Sequence, residues 1–195
     1  MEKPSKKLVV GITGASGSIY SIRLVEALLK AGYHVHVICT DNGKKVMKYE
    51  TGIDVDEWAA ALTDRPGTLV PEDNDDLFSA LASGSCKFDA MVVIPCSMGT
   101  LAEISCGLAK NLLCRAADVA MKENRRLILV PRETPLNAIH LENMLKLSRL
   151  GVTILPAMPG FYHKPGTMED LVDFVIGKVL DSLSIDNEMF KKWRS

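Results

Sequence analysis

Three short clusters in this 195-residue chain carry residue types suited to gripping an anion. The first, Thr13-Gly14-Ala15-Ser16-Gly17-Ser18, directly follows an apolar run and leads into a helical pattern. Backbone N–H groups in such a turn, together with the dipole of the helix that follows, favour a phosphate. The second, Cys96-Ser97-Met98-Gly99-Thr100, offers two hydroxyls and a glycine at another helix start. Taken singly, Ser97 or Thr100 reads as a helix cap; beside the first loop, the pair suits a mononucleotide-type ligand. The third is Arg132, set between Pro131 and Glu133 at a strand end. A guanidinium there can hold a phosphate or carboxylate through two parallel N–H donors.

Other residues carry weaker signals. Glu50 closes a helical stretch and reads either as a proton-handling carboxylate or as a solvated side chain. Arg115, Lys122 and Lys178 stand in otherwise apolar segments, and a surface charge on a buried aliphatic stem is the plainer account of each. The stretch Met158-Pro159-Gly160-Phe161-Tyr162-His163-Lys164-Pro165 is either a rigid turn around a packed aromatic or a ligand-facing loop. Neither His140 nor His163 has a serine or cysteine at a recognisable catalytic spacing. The dinucleotide fingerprint is incomplete: with Gly17 as its middle glycine, Tyr20 stands where the third belongs, and Thr40 rather than an acid ends the second strand. Phosphate binding is therefore expected, but NAD is not. The five cysteines are scattered and form no CxxC pair, which indicates neither a zinc site nor a disulfide framework.

The elements that must position these clusters follow from the apolar periodicity. Residues 7–12 form a buried-strand run; Ile19, Ile22, Val25, Leu28 and Leu29 then recur at helical spacing up to Ala31-Gly32, and residues 33–40 read as a second strand. Strand, helix, strand over so short a stretch is a βαβ unit, which implies a parallel sheet. Further strands are predicted over 90–95, 127–130 and 152–155, and helices over 42–50, from Thr100 to about 107, and over 111–122, 138–150 and 168–183. The acidic stretch 54–76, with Pro66, Gly67 and Pro71, is predicted as an irregular surface excursion with a short helix near Trp58, and 184–195 as a polar tail. The alternation predicts one α/β domain spanning 1–195, a three-layer doubly wound parallel sheet. Ligands of such folds sit outside the carboxyl ends of the strands, which is where the three clusters fall.

Composition narrows the partners. Lysine plus arginine number 23 against 24 acidic residues, a formal net charge of −1 that supplies no field to draw the chain onto nucleic acid or an anionic membrane. A content of 47% hydrophobic and 24% charged residues excludes a disordered chain. No apolar run reaches the roughly 18 residues of a membrane span, and the stretch 8–12, broken by Gly11, is too short for a secretory core. The expected location is the cytoplasm.

Six blocks bring a family into view: Gly11-Ile12-Thr13-Gly14-Ala15-Ser16-Gly17, Pro95-Cys96-Ser97-Met98-Gly99-Thr100-Leu101, Arg115-Ala116-Ala117-Asp118-Val119, Leu129-Val130-Pro131-Arg132-Glu133-Thr134-Pro135-Leu136, His140-Leu141-Glu142-Asn143-Met144-Leu145 and Pro159-Gly160-Phe161-Tyr162. In this order they resemble the signature of the UbiX-type flavin prenyltransferases, over nearly the whole chain. The resemblance implies the flavin-containing cysteine decarboxylase-like variety of the doubly wound fold. It also implies reduced FMN as acceptor, dimethylallyl phosphate as donor and no metal, with the prenylated FMN passed to a UbiD-type decarboxylase. Carried over by motif, Gly14, Ala15, Ser16, Thr40, Ser97, Met98, Gly99, Thr100 and Arg132 would bind the flavin. Tyr162 and Lys178 would hold the donor phosphate; Arg115 and Lys122 would add positive charge from neighbouring segments or subunits. Ser16 and Glu50 would assist proton transfer, with Lys122 and Tyr162 counted among the catalytic groups. The family resemblance implies a homo-oligomer, commonly a dodecamer, with sites shared between subunits. Lys178 departs from the pattern, which carries arginine there, and supplies a point charge in place of a fork.

Three other readings compete. An FMN-dependent decarboxylase of the same fold would need a catalytic histidine between the second and third predicted strands, and residues 41–89 contain none. A short-chain dehydrogenase would need Tyr-x-x-x-Lys, and no tyrosine here has lysine four residues on. A non-catalytic flavin-carrying subunit of a decarboxylase complex would bind FMN without consuming a donor.

Overall fold

The computed structural model describes residues 7–62 and 64–190. The charged start, 1–6, and the end of the predicted tail, 191–195, lie outside the described residues. Six strands form one parallel sheet in the order β3-β2-β1-β4-β5-β6. They are β1 (Lys7–Ile12), β2 (His34–Cys39), β3 (Thr68–Glu72), β4 (Ala90–Cys96), β5 (Arg126–Pro131) and β6 (Thr153–Ile154). The helices are α1 (Ser18–Lys30), α2 (Asp41–Thr51), α3 (Val55–Ala61), α4 (Met98–Ser105), α5 (Leu112–Lys122), α6 (Ala138–Arg149) and α7 (Met168–Ser182). This is the doubly wound α/β architecture that the alternating pattern predicts.

Two apolar layers explain why the central strands are apolar on both faces. On one side Leu8, Val10 and Ile12 of β1, Val35 and Val37 of β2, and Val92 and Ile94 of β4 pack against α1 and α7 through Ile22, Val25, Val175 and Val179. On the other, Val9, Met91, Val93, Leu127 and Leu129 pack against α4 and α5 through Leu101, Ile104, Leu113 and Ala117. Period-two alternation along each strand thus feeds both layers.

β3 corrects the predicted excursion. The short helix near Trp58 is present as α3, but Thr68–Glu72 pairs in parallel with β2, His34 opposite Thr68 and Val37 opposite Pro71. A proline fits because β3 is the sheet's edge, where one side of the strand has no ladder to supply. Among the described residues no helix is long and apolar enough to cross a membrane.

The strand order reverses between β1 and β4, so the crevice of a doubly wound sheet opens at their carboxyl ends. There the β1–α1 turn, the β4–α4 turn and the end of β5 come together.

Candidate active site

α1 begins without a cap of its own. Its N-cap, Gly17, has φ 110°, a left-handed conformation open to glycine, and has no side chain to accept the first amides. Glu50, in the last turn of α2, takes their place. Its carboxylate accepts the Gly17 N–H at 3.0 Å and the Ser18 N–H at 2.9 Å. Burial pushes the Glu50 carboxyl up, but hydrogen bonds from the Ser16 side chain and the Ser18 and Gly17 amides outweigh it and hold it below its ordinary range. Glu50 is therefore an anion at neutral pH, and the helix start that the sequence marks as a phosphate cradle already carries one negative charge from within the chain. The turn stays close to α2: a side chain on Gly14 would stand 2.7 Å from the Asn42 Cβ.

The second turn caps itself. Ser97 is the N-cap of α4, and its hydroxyl accepts the Thr100 N–H at 3.3 Å while donating to the Thr100 hydroxyl at 3.1 Å. The space where a Gly99 side chain would stand is open, with the Ser97 hydroxyl 4.0 Å away. Met98 is buried. Thr40 does similar work for α2, its hydroxyl accepting the Gly43 N–H at 3.1 Å. Cap and ligand readings of these hydroxyls are compatible, since a capped first turn still presents amides at the helix start.

A buried threonine joins the two turns. The Thr13 hydroxyl donates to the Pro95 carbonyl at 2.8 Å and accepts the Ser97 N–H at 2.7 Å. Arg132 closes the third side, its Nε donating to the Ser16 carbonyl at 3.2 Å and its backbone N–H to the Cys96 carbonyl at 3.3 Å. The strand-end arginine is thus brought to the first loop. Cys96, last in β4, is no nucleophile: full burial holds its thiol well above the ordinary range.

Tyr162 and Lys178 meet around a different ring. The Tyr162 ring stands edge-on to Phe174 at 5.7 Å, His163 stacks on Phe174 at 5.4 Å, and the Lys178 Nζ lies 5.9 Å from the Phe174 centroid and 5.3 Å from that of Phe190. The Ala157 N–H donates to the Pro131 carbonyl at 3.0 Å, so this loop starts beside the strand end that carries Arg132.

Arg115 and Lys122 lie elsewhere. The Arg115 Nε donates to the Ala82 carbonyl at 2.9 Å and its Nη1 to Asp118 at 2.6 Å. Lys122 pairs with Glu123 and ends α5, four residues before β5 begins, which puts it at the amino edge of the sheet. Among the described residues neither bonds to the two turns. Sequence reasoning missed Thr13 as a link; the available signal was a threonine placed immediately after a buried parallel strand.

The Flavoprotein family profile matches residues 1–180. The flavin prenyltransferase UbiX of Halalkalibacterium halodurans is 54% identical over 188 residues, 94% of this chain and 91% of that one. AnUbiX (PadA1), solved in complex with FMN and dimethylallyl pyrophosphate, superposes with a TM-score of 0.92 at 39% identity, over 98% of both chains. The dodecameric FMN-dependent UbiX-like decarboxylase from Escherichia coli O157:H7 superposes at 0.90 with 42% identity, over 97% of this chain and 100% of that one. The chain, with its paired turns at the β1/β4 crevice, belongs to the UbiX flavin prenyltransferase family.

Proposed function

We propose that the chain is a single flavin-binding domain that transfers a dimethylallyl group from dimethylallyl phosphate to reduced FMN, without a metal, in the cytoplasm. The prenylated FMN then serves a UbiD-type decarboxylase. The observation that carries this reading is the convergence of the β1–α1 turn, the β4–α4 turn and Arg132 at the point where the strand order reverses. Amides at the start of α4, the Ser97 and Thr100 hydroxyls and a guanidinium form a donor set matched to a phosphate monoester. The open space at Gly99 lets a ligand approach the first turn of α4 closely. These features fit FMN, with Gly14, Ala15, Ser16, Thr40, Ser97, Met98, Gly99, Thr100 and Arg132 holding it.

Bound reduced flavin supplies the electron-rich ring that accepts the allyl group. The chain's own residues handle what leaves. Breaking the allylic C–O bond sends its electron pair out with the phosphate, and Lys178 and Tyr162 stabilise that charge. Fixed cations that need not reorganise lower such a barrier by about 3 kcal/mol per well-placed donor. Phe174 and Tyr162 offer aromatic walls that shield an allylic cation from water without attacking it. Ser16, whose hydroxyl donates to the ionised Glu50, stands at the first turn, where it would pass a proton on to that carboxylate. Arg115 and Lys122 complete the positive lining from a neighbouring copy in a homo-oligomer, a dodecamer as in the E. coli relative.

The test is an anaerobic incubation of the purified protein with reduced FMN and dimethylallyl phosphate, followed by mass spectrometry of the flavin. A gain of one prenyl unit is expected; its absence would overturn the reading. The E. coli relative, an FMN-dependent UbiX-like decarboxylase, favours a second reading as an FMN-dependent decarboxylase; a non-catalytic flavin carrier is the other alternative. Either would bind FMN and leave the donor unconsumed.

A further inference from the structure

We propose that Thr13 is a positioning residue for flavin binding: it sets the spacing between the Gly14–Ser16 turn and the Ser97–Thr100 turn without lining the ligand. The inference rests on the flavin reading above. Thr13 is 1% exposed, so no ligand in the crevice touches it. Its place is nevertheless singular. The β1–β4 pairing runs from Leu8 opposite Ala90 to Gly11 opposite Val93. Two residues further on, Thr13 carries the connection: its N–H, at 3.2 Å, and its hydroxyl, at 2.8 Å, both donate to the Pro95 carbonyl. Beyond Val93 the β4–β5 register also shifts before resuming at Cys96. Among the described residues Thr13 therefore ties the end of β4 to the end of β1 where ladder pairing stops.

The same hydroxyl accepts the Ser97 N–H at 2.7 Å. Ser97 in turn caps α4 through the Thr100 N–H. A chain of bonds thus runs from the last residue before Gly14 to the first turn of α4. Only a side chain that donates and accepts at a single atom can do this, and in that volume the choice is a hydroxyl. Valine has the same shape but removes the acceptor of the Ser97 amide and leaves the Pro95 carbonyl with the backbone N–H of position 13 alone. Arg132 braces the two turns from the ligand side, through the Ser16 and Cys96 carbonyls; Thr13 braces them from behind.

The experiment compares wild type, Thr13→Val, Thr13→Ala and Thr13→Ser by FMN titration, read from quenching of flavin fluorescence and from the visible band of bound flavin. Thr13→Val is expected to raise the Kd for FMN about tenfold and to move the band towards that of free flavin, for two lost hydrogen bonds. Thr13→Ser, which keeps the hydroxyl, is expected to stay within about twofold of wild type. Should Thr13→Val fail to fold, Thr13→Ala, with room for a bridging water, carries the same expectation of weakened binding. Unchanged affinity in a folded valine or alanine variant overturns the inference. So does failure of both to fold while serine behaves as wild type, since Thr13 would then be a pin for the fold alone. Wild type that binds no FMN overturns the flavin reading itself, and the inference falls with it.

Discussion

The Glu50 carboxylate lies across the first amides of α1, 3.0 Å from the Gly17 nitrogen, although the two residues are 33 positions apart. An acid from the end of one helix therefore caps the start of another, and it does so in the turn that a glycine-rich loop would otherwise leave free for a ligand's phosphate. The consequence is a division of labour. On the proposed reading the β1–α1 turn, with the Glu50 carboxylate of α2 laid across it, offers the Ser16 hydroxyl, while the β4–α4 turn and Arg132 supply the donors for an incoming anion.

Glu50→Gln tests this electrostatically. The folded-state carboxyl lies below its ordinary value of 4.5, so its stabilisation is fully present above that pH and disappears as pH falls through the lower folded value. A charge at a helix start contributes about 0.3–1 kcal/mol. Thermal melts of the two proteins should differ by a small, constant amount between pH 6 and 8, on the order of the 2–4 °C per kcal/mol expected for a chain of this size. The gap should close as pH falls below the ordinary carboxylate range. A gap that persists unchanged in acid would mean that Glu50 acts by shape rather than charge.

Lys178 sits over the Phe174 and Phe190 rings as a point charge. Under the proposed reaction Lys178→Ala should raise the KM for dimethylallyl phosphate or abolish turnover, lowering kcat/KM by about a hundredfold, the scale of one lost transition-state donor. Lys178→Arg should retain most activity, because the charge is kept. Steady-state flavin prenylation against donor concentration reads both, and unchanged kinetics in the alanine variant would remove Lys178 from the site.

Much of this was legible in residues 7–12, 90–95 and 127–130, because strands buried on both faces are written as unbroken apolar runs. β3 was not: Thr-Leu-Val-Pro-Glu is half exposed, contains a proline, and becomes a strand only because β2 offers it an edge. The three clusters could be assigned to strand ends from the chain alone, since loop chemistry is local. What stayed hidden was tertiary. Nothing near Glu50 reveals that it reaches Gly17, and a threonine just past β1 marks a link without naming Ser97, 84 positions on, as its partner. Arg115 and Lys122 were visible as cations in apolar helices, but their direction away from the turns depends on how α5 is laid against the sheet.

Ser97→Ala separates cap from ligand. Losing the side-chain acceptor for the Thr100 amide should cost about 1 kcal/mol of stability, a typical value for an N-cap serine. In a chemical denaturation this appears as a lower midpoint with an unchanged slope. Added FMN should restore less stability to the variant than to wild type if the hydroxyl also serves the ligand, because ligand stabilisation follows affinity. Equal restoration in both proteins would leave Ser97 with the cap alone.

The position of Lys122 at the amino edge of the sheet makes a sharper demand. If it serves the reaction, it serves the crevice of another copy, while Arg132 serves its own. Lys122→Ala and Arg132→Ala should each lose most activity as pure proteins. Co-expressed in equal amounts, they assemble sites in which the cation donor and the loop donor come from different subunits. Random mixing then leaves about a quarter of the sites with both residues intact, so about a quarter of wild-type prenylation should return. Were Lys122 to act on its own chain's crevice, every site would carry one defect or the other, and mixing would restore nothing. The recovered fraction, measured on the mixed oligomer after separation from free subunits, decides between the two arrangements.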